Sequence, residues 1–465
     1  MEAGSQKSPA PDSSANSAVS SPPARPPINK SWLAAQGKLP LSFMGLGLAW
    51  LVGATALMVL RPDILLEGHT SPHVIALAHA WVLGFFVTVA TGAVYQIVPV
   101  ALSTKLWSEP LGWLHFGCHL VGVPGMVVAF WFYRLDLVGM FGALTALGIL
   151  FFALNTCVTV KLSPRHDIIA RSILLAAGWL AVGALAGLFL VANRLWAWTT
   201  LDTISLLRAH AHLGAVGFFI TLIQGVGFQL IPMFTLGQVT SWRAARVGIW
   251  CSQTGLLLLV PGLLWRIRPF EVVAALVITA GLISSGLGMR RALRTRKKMR
   301  LDPGVVVFLW GVGGLILTAC AGVILAVLGA TRGAAVGGFN PMIYALLGLF
   351  AGLLPCVAGM MCKVVPFLTW MRAYGPLVGR FRTPPAHSLT RPWLERWGLA
   401  LQQLAVIPLL LGAWRLDLAW SQWGAWLLAA GVLLFLTDML GVLKHLWHRQ
   451  EMEPLHTAFH PKPAS

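Results

Sequence analysis

Apolar stretches of about 20 residues, each long enough to cross a hydrocarbon core, follow one another from Leu39 to Lys444. No other feature constrains the chain as much. With no water at membrane depth, each stretch must satisfy its own backbone polar groups as a helix. Spans are expected near 39–60, 73–101, 110–132, 136–160, 168–192, 205–235, 243–265, 270–293, 304–328, 341–370, 395–414 and 419–444, separated by short connectors rich in Pro, Gly or charge. No soluble domain interrupts them, so residues 39–445 read as one all-α integral membrane bundle of about twelve transmembrane helices. Charge agrees: only 11% of residues are charged, where a soluble domain carries roughly 25%.

The net charge of +19 does not indicate nucleic acid, because the basic residues sit in short connectors and form no single patch. Of 34 Lys and Arg, 25 fall on the side of the N-terminus, 8 on the other side, and Lys363 inside a span. The positive-inside rule then places both termini in the cytoplasm of a bacterial-type cell membrane. Residues 1–38, rich in Ser, Pro and Ala, read as a disordered cytoplasmic tail, and 446–465 as a second tail. The six Cys form no CxxC pair, so neither a zinc ribbon nor covalent haem attachment is indicated.

An internal repeat runs through the spans. The second carries His79, Gly84-Phe85-Phe86, Thr88, Gly92, Gln96 and Pro99. The sixth carries His212, Gly217-Phe218-Phe219, Thr221, Gly225, Gln229 and Pro232, every one 133 residues on. The tenth ends the same way, with Gly359, Lys363 and Pro366 a further 134 on, and Tyr344 stands where His210 does. Three consecutive four-helix units (about 39–160, 168–293 and 304–444) follow, in a pseudo-threefold arrangement.

Ionisable side chains at membrane depth are costly and carry a functional expectation. Six histidines qualify: His73, His79, His115, His119, His210 and His212. His79 and His212 occupy equivalent places, roughly 10 Å below the outer surface at 1.5 Å per residue. His210 and His212 are about 200° apart round one helix and cannot share a ligand. His115 and His119, four apart, share a face. Neutral imidazole suits haem iron or copper, so His79, His210, His212, His115 and His119 are candidate metal ligands. The remaining seven histidines are expected to be solvated. Lys363 is expected to snorkel to the interface, the alternative being a proton relay with Asp438 as a candidate partner.

Twelve spans in three units, with histidines near the outer ends of the second and sixth, resemble subunit I of the haem-copper oxidases. That superfamily includes the nitric oxide reductases and related membrane haem-copper proteins of nitric oxide resistance. The residues carrying the resemblance are Leu77-Ala-His79-Ala-x3-Gly84-Phe85-Phe86 and Arg208-Ala-His210-Ala-His212-x4-Gly217-Phe218-Phe219. It implies haem, with His79 as an axial ligand, and copper at His212 or His210. It also implies that Arg415, in the last outer loop, holds haem propionates. An electron donor (cytochrome c or quinol), an accessory subunit and a small gas ligand would be the partners, besides the lipid bilayer.

The sequence departs from the family in two places. The tenth span lacks the family's His-x-His, and the seventh, Gly248-Ile-Trp250-Cys251-Ser-Gln253, lacks its paired histidines, so a complete binuclear centre is not expected. A transporter or channel with a histidine-lined path, and a non-catalytic relative that binds nothing, are the competing readings.

Overall fold

The computed structural model describes residues 37–332 and 341–453; most of both expected tails lies outside the described residues. Twelve helices among them are long and apolar enough to span: α1 (Lys38–Leu60), α2 (Pro72–Ala101), α3 (Glu109–Trp131), α4 (Leu135–Lys161), α5 (Ile168–Trp196), α6 (Thr203–Thr235), α7 (Arg243–Leu264), α8 (Arg268–Arg294), α9 (Pro303–Gly329), α10 (Pro341–Ala373), α11 (Pro392–Arg415) and α12 (Leu418–Leu446). Their ends fall close to those expected from hydropathy. Polar caps fix several starts: the Ser108, Asp167, Asp202 and Asp417 side chains each accept a first-turn N–H.

Three helices form the centre. α2, α6 and α10 bury 67%, 78% and 67% of their apolar windows, against 50% or less elsewhere. These are the helices that carry the repeat. Within each unit the last two helices make a tight antiparallel hairpin, with backbones brought close by glycine, as at Gly248 against Gly281 and Gly398 against Gly431. The motif glycine of each central helix serves the same end. Gly92 lies against Phe43 of α1, Gly225 against Ser172 of α5, and Gly359 against the Gly304 carbonyl of α9.

All three central helices contain a π-helical segment in the same register: Ala80–Val87, Leu213–Ile220 and Leu347–Leu353. A widened turn leaves a carbonyl without its usual partner, which hydrocarbon cannot supply. In α2 the Thr88 hydroxyl donates to Leu83 O at 2.9 Å, and in α6 the Thr221 hydroxyl donates to Val216 O at 3.1 Å, each five residues back. The equivalent residue of α10 is Pro355, which has no N–H to give and so cannot close an α-helical turn there. One register position thus accounts for all three segments by two different chemistries.

In α10 the widened turn is covered by α9, where a side chain at Gly314 would overlap the Ala351 carbonyl. Gly314→Ala is therefore expected to cost about 1–3 kcal/mol. The neighbouring Gly313→Ala, which faces open space, should stay within about 0.5 kcal/mol of the parent. Thermal unfolding of the purified protein in detergent checks both; equal melting temperatures for the two variants would refute the close approach.

Candidate functional site

The π segments begin immediately after His79 and His212, so the repeat histidines sit where the central helices change pitch. His79 is met by His210, not by its repeat equivalent. The His79 and His210 ring centres are 6.4 Å apart, with planes 19° from parallel. His212 faces Tyr344 of α10, with centres 6.1 Å apart and planes at 26°. The two pairs are one arrangement repeated, because His212 and Tyr344 lie 133 and 134 residues beyond His79 and His210. The third equivalents, Leu346 and Leu77, are apolar and buried. As the opposed directions of His210 and His212 require, α6 gives one histidine to α2 and the other to α10.

Each of these imidazoles is oriented by a backbone carbonyl. His79 Nδ1 lies 2.8 Å from Ile75 O, His212 Nδ1 2.8 Å from Arg208 O, and His210 Nδ1 3.0 Å from Gly183 O of α5. A carbonyl only accepts, so Nδ1 carries the proton and Nε2 keeps its lone pair. Second-sphere bonds of this kind orient metal-binding histidines. The cradle is specific to this pair: Phe130 of α3 stacks on His79 at 4.8 Å, and a side chain at Gly187 would stand 3.0 Å from His210 Cε1.

His115 and His119 are differently employed. Both are fully buried. His119 Nε2 lies 2.7 Å from the Thr88 hydroxyl and 3.1 Å from Leu83 O, the carbonyl freed by the π turn. His115 Nδ1 bonds the Tyr95 hydroxyl at 3.1 Å. The repeat explains His119: 134 residues on, Gln253 of α7 donates to Thr221 at 2.8 Å. A histidine and a glutamine thus do the same work for two equivalent threonines. His115 Nε2 and His119 Nδ1 remain buried without a partner.

Three sequence expectations need correction. Lys363 Nζ pairs with Asp302, just before α9, at 2.8 Å, and Asp302 is also held by Lys298 at 2.8 Å. Burial alone would raise the Asp302 carboxyl, but the bonds from Lys298 and Lys363 outweigh it and hold it below the usual range. Asp438 instead accepts the Arg391 backbone N–H at 2.7 Å. Two connector histidines are not simply solvated: His445 bonds the Tyr374 hydroxyl at 2.9 Å, and His69 buries Nε2 without a partner. Burial and the nearby Arg208 push the His69 imidazole below its ordinary value.

The remaining candidates sit where their chemistry suits the surface. Arg415 is exposed at the end of α11, its guanidinium over the Trp414 ring at 5.8 Å, with no salt bridge among the described residues. Trp196, Trp198, Trp414 and Trp423 are each about 60% exposed at helix ends, as an interfacial belt requires. No group of three or more His, Cys, Asp or Glu that could hold a metal occurs among the described residues.

If His119 works as Gln253 does, His119→Gln should keep the parent melting temperature, while His119→Leu should lose about 1–3 kcal/mol by stranding polar groups. Thermal denaturation of both variants decides it. Equal losses in the two would count against the shared role.

No protein-family model matches the sequence, and no curated protein does. Among solved structures the chain is similar to a haem-copper terminal oxidase, imaged as a dimer by cryo-EM, with a TM-score of 0.61 and 12% identity over 89% of this chain and 84% of that one. The twelve-helix, pseudo-threefold bundle therefore has the subunit I-like fold of the haem-copper oxidases.

Proposed function

We propose that this multi-pass membrane protein binds haem between its central helices, where His79 and His210 would hold the iron. The supporting observation is the pair itself: two imidazoles 6.4 Å apart and nearly parallel, each with Nδ1 bound to a carbonyl. With each Nδ1 engaged by a carbonyl, both imidazoles would offer an Nε2 lone pair to iron, so the donor chemistry fits. Haem iron held this way supplies a one-electron centre. Ile75 O and Gly183 O fix the tautomer of each ligand, Phe130 covers His79, and Gly187 leaves room for His210. Arg415, with no carboxylate partner among the described residues, is the proposed propionate anchor.

On this reading the protein handles electrons or a diatomic gas (O2 or NO) near the membrane face opposite its termini. Copper is assigned to His212, beside Tyr344, without a complete binuclear centre. The bias of Lys and Arg toward the N-terminal side supports cytoplasmic termini and a bacterial-type inner membrane. A cytochrome c or quinol donor and an accessory subunit are the proposed partners. The transporter reading gains little, because Trp81, Phe85, Phe86, Phe218 and Phe219 are all buried among the central helices.

The test is a reduced-minus-oxidised spectrum with pyridine haemochrome on the detergent-purified protein. About one haem per chain is expected, with His79→Ala and His210→Ala each weakening retention roughly 10–100-fold, while His212→Ala leaves the low-spin bands in place. A colourless parent protein would exclude haem and favour the relative that binds nothing. Haem content unchanged in both variants would move the iron elsewhere.

A further inference from the structure

The face where α1 begins and α12 ends holds a second built site, unrelated to the histidine pairs. A cavity of about 410 Å³ opens between the connector before α11 and the end of α12, lined by Thr390, Arg391, Asp438, Lys444, His448 and Arg449 among others. Its walls are tied together. Tyr374, fully buried at the end of α10, bonds His445 Nδ1 at 2.9 Å and accepts the Gln450 backbone N–H at 3.0 Å. Arg382 N donates to Glu453 O at 3.0 Å, which folds the segment after α12 back over the connector.

Two features of the lining define a ligand. Arg391, Lys444 and Arg449 make no salt bridge among the described residues. Such a cluster suits a phosphate-bearing group, as basic pockets at the inner ends of membrane helices do. At the floor, Asp438 is 1% exposed; its Oδ1 is taken by Arg391 N, and its Oδ2 is buried with no partner. An anion with acceptors alone would leave that oxygen unsatisfied, at a cost. The ligand must therefore present a phosphodiester to the three cations and a hydrogen-bond donor to Asp438.

The setting identifies the source. Trp393, Trp397 and Trp447, at the start of α11 and just beyond α12, are 57%, 59% and 75% exposed. Exposed tryptophans at helix ends mark the depth of lipid headgroups. We propose that this cavity binds the headgroup of a phospholipid carrying a donor beyond its phosphodiester: the glycerol hydroxyl of phosphatidylglycerol or the ammonium of phosphatidylethanolamine. Phosphatidylcholine, which has no such donor, is disfavoured.

Native mass spectrometry of the full-length protein tests this, after equilibration in mixed micelles holding equal amounts of the three lipids with matched acyl chains. The parent protein should retain phosphatidylglycerol and phosphatidylethanolamine over phosphatidylcholine. The exposed double variant Lys444→Gln/Arg449→Gln should lower that retention about tenfold. Asp438→Asn, whose amide can turn an N–H toward the cavity, should abolish the preference while leaving the melting temperature near that of the parent. Equal retention of the three lipids by the parent protein would overturn the proposal. So would displacement of every lipid by millimolar inorganic phosphate, which would make free phosphate the ligand. A headgroup preference that survives in both variants would place the lipid elsewhere.

Discussion

Every polar backbone group at membrane depth must find a partner within the protein, and the rest of this structure is arranged around the three places where an α-helix alone does not provide one. The central helices each widen into a π turn in the same register, next to the pseudo-threefold axis. A threonine hydroxyl answers the freed carbonyl in α2 and α6, and a proline removes the competing N–H in α10. The outer helices then supply the second layer, as His119 and Gln253 do for the two threonines. Glycines on α9 let backbone approach backbone where the turn in α10 is covered.

The same turns set the direction of the residues just before them. His79 and His212 end the α-helical part of their spans, so their side chains leave from equivalent points of two helices that neighbour each other round the axis. Each meets the residue two positions before its counterpart on the next helix: His210 for His79, and Tyr344 for His212. Pseudo-symmetry thus yields a graded series of interfaces, from two imidazoles to an imidazole and a phenol, with leucines at the third set of positions. A threefold scaffold needs only single substitutions in one register to differentiate its interfaces.

Charge near the other face follows a different rule. Lys363 stands where Gln96 and Gln229 stand in the other units. It is tolerated because Asp302 reaches it from the start of α9, with Lys298 sharing the carboxylate. Glu395 is buried at the start of α11 and accepts the Gly304 backbone N–H at 3.0 Å. Glu395 thus serves the start of α9, where unpaired N–H groups and the positive helix dipole offset the cost of burial.

The sequence by itself determined the twelve spans, their grouping in fours and the set of candidate histidines. Apolar length and a Gly-x3-(Gln/Lys)-x2-Pro spacing are properties of single helices, written along the chain. It showed that His210 and His212 point apart, yet not which neighbour each would meet, because that depends on how the helices are rotated and ordered in the bundle. The π turns were equally hidden: Thr88, Thr221 and Pro355 share a register, but nothing in their composition announces a five-residue hydrogen bond. His119 is a ligand candidate by residue type alone, and its bond to Thr88, matching the Gln253–Thr221 bond, is a contact between helices that spacing along α3 does not announce. Only the tertiary structure could assign Lys363 to Asp302, pair His79 with His210 and give Tyr344 to His212. Those choices rest on distances between segments far apart in sequence, which packing fixes and spacing along one helix does not.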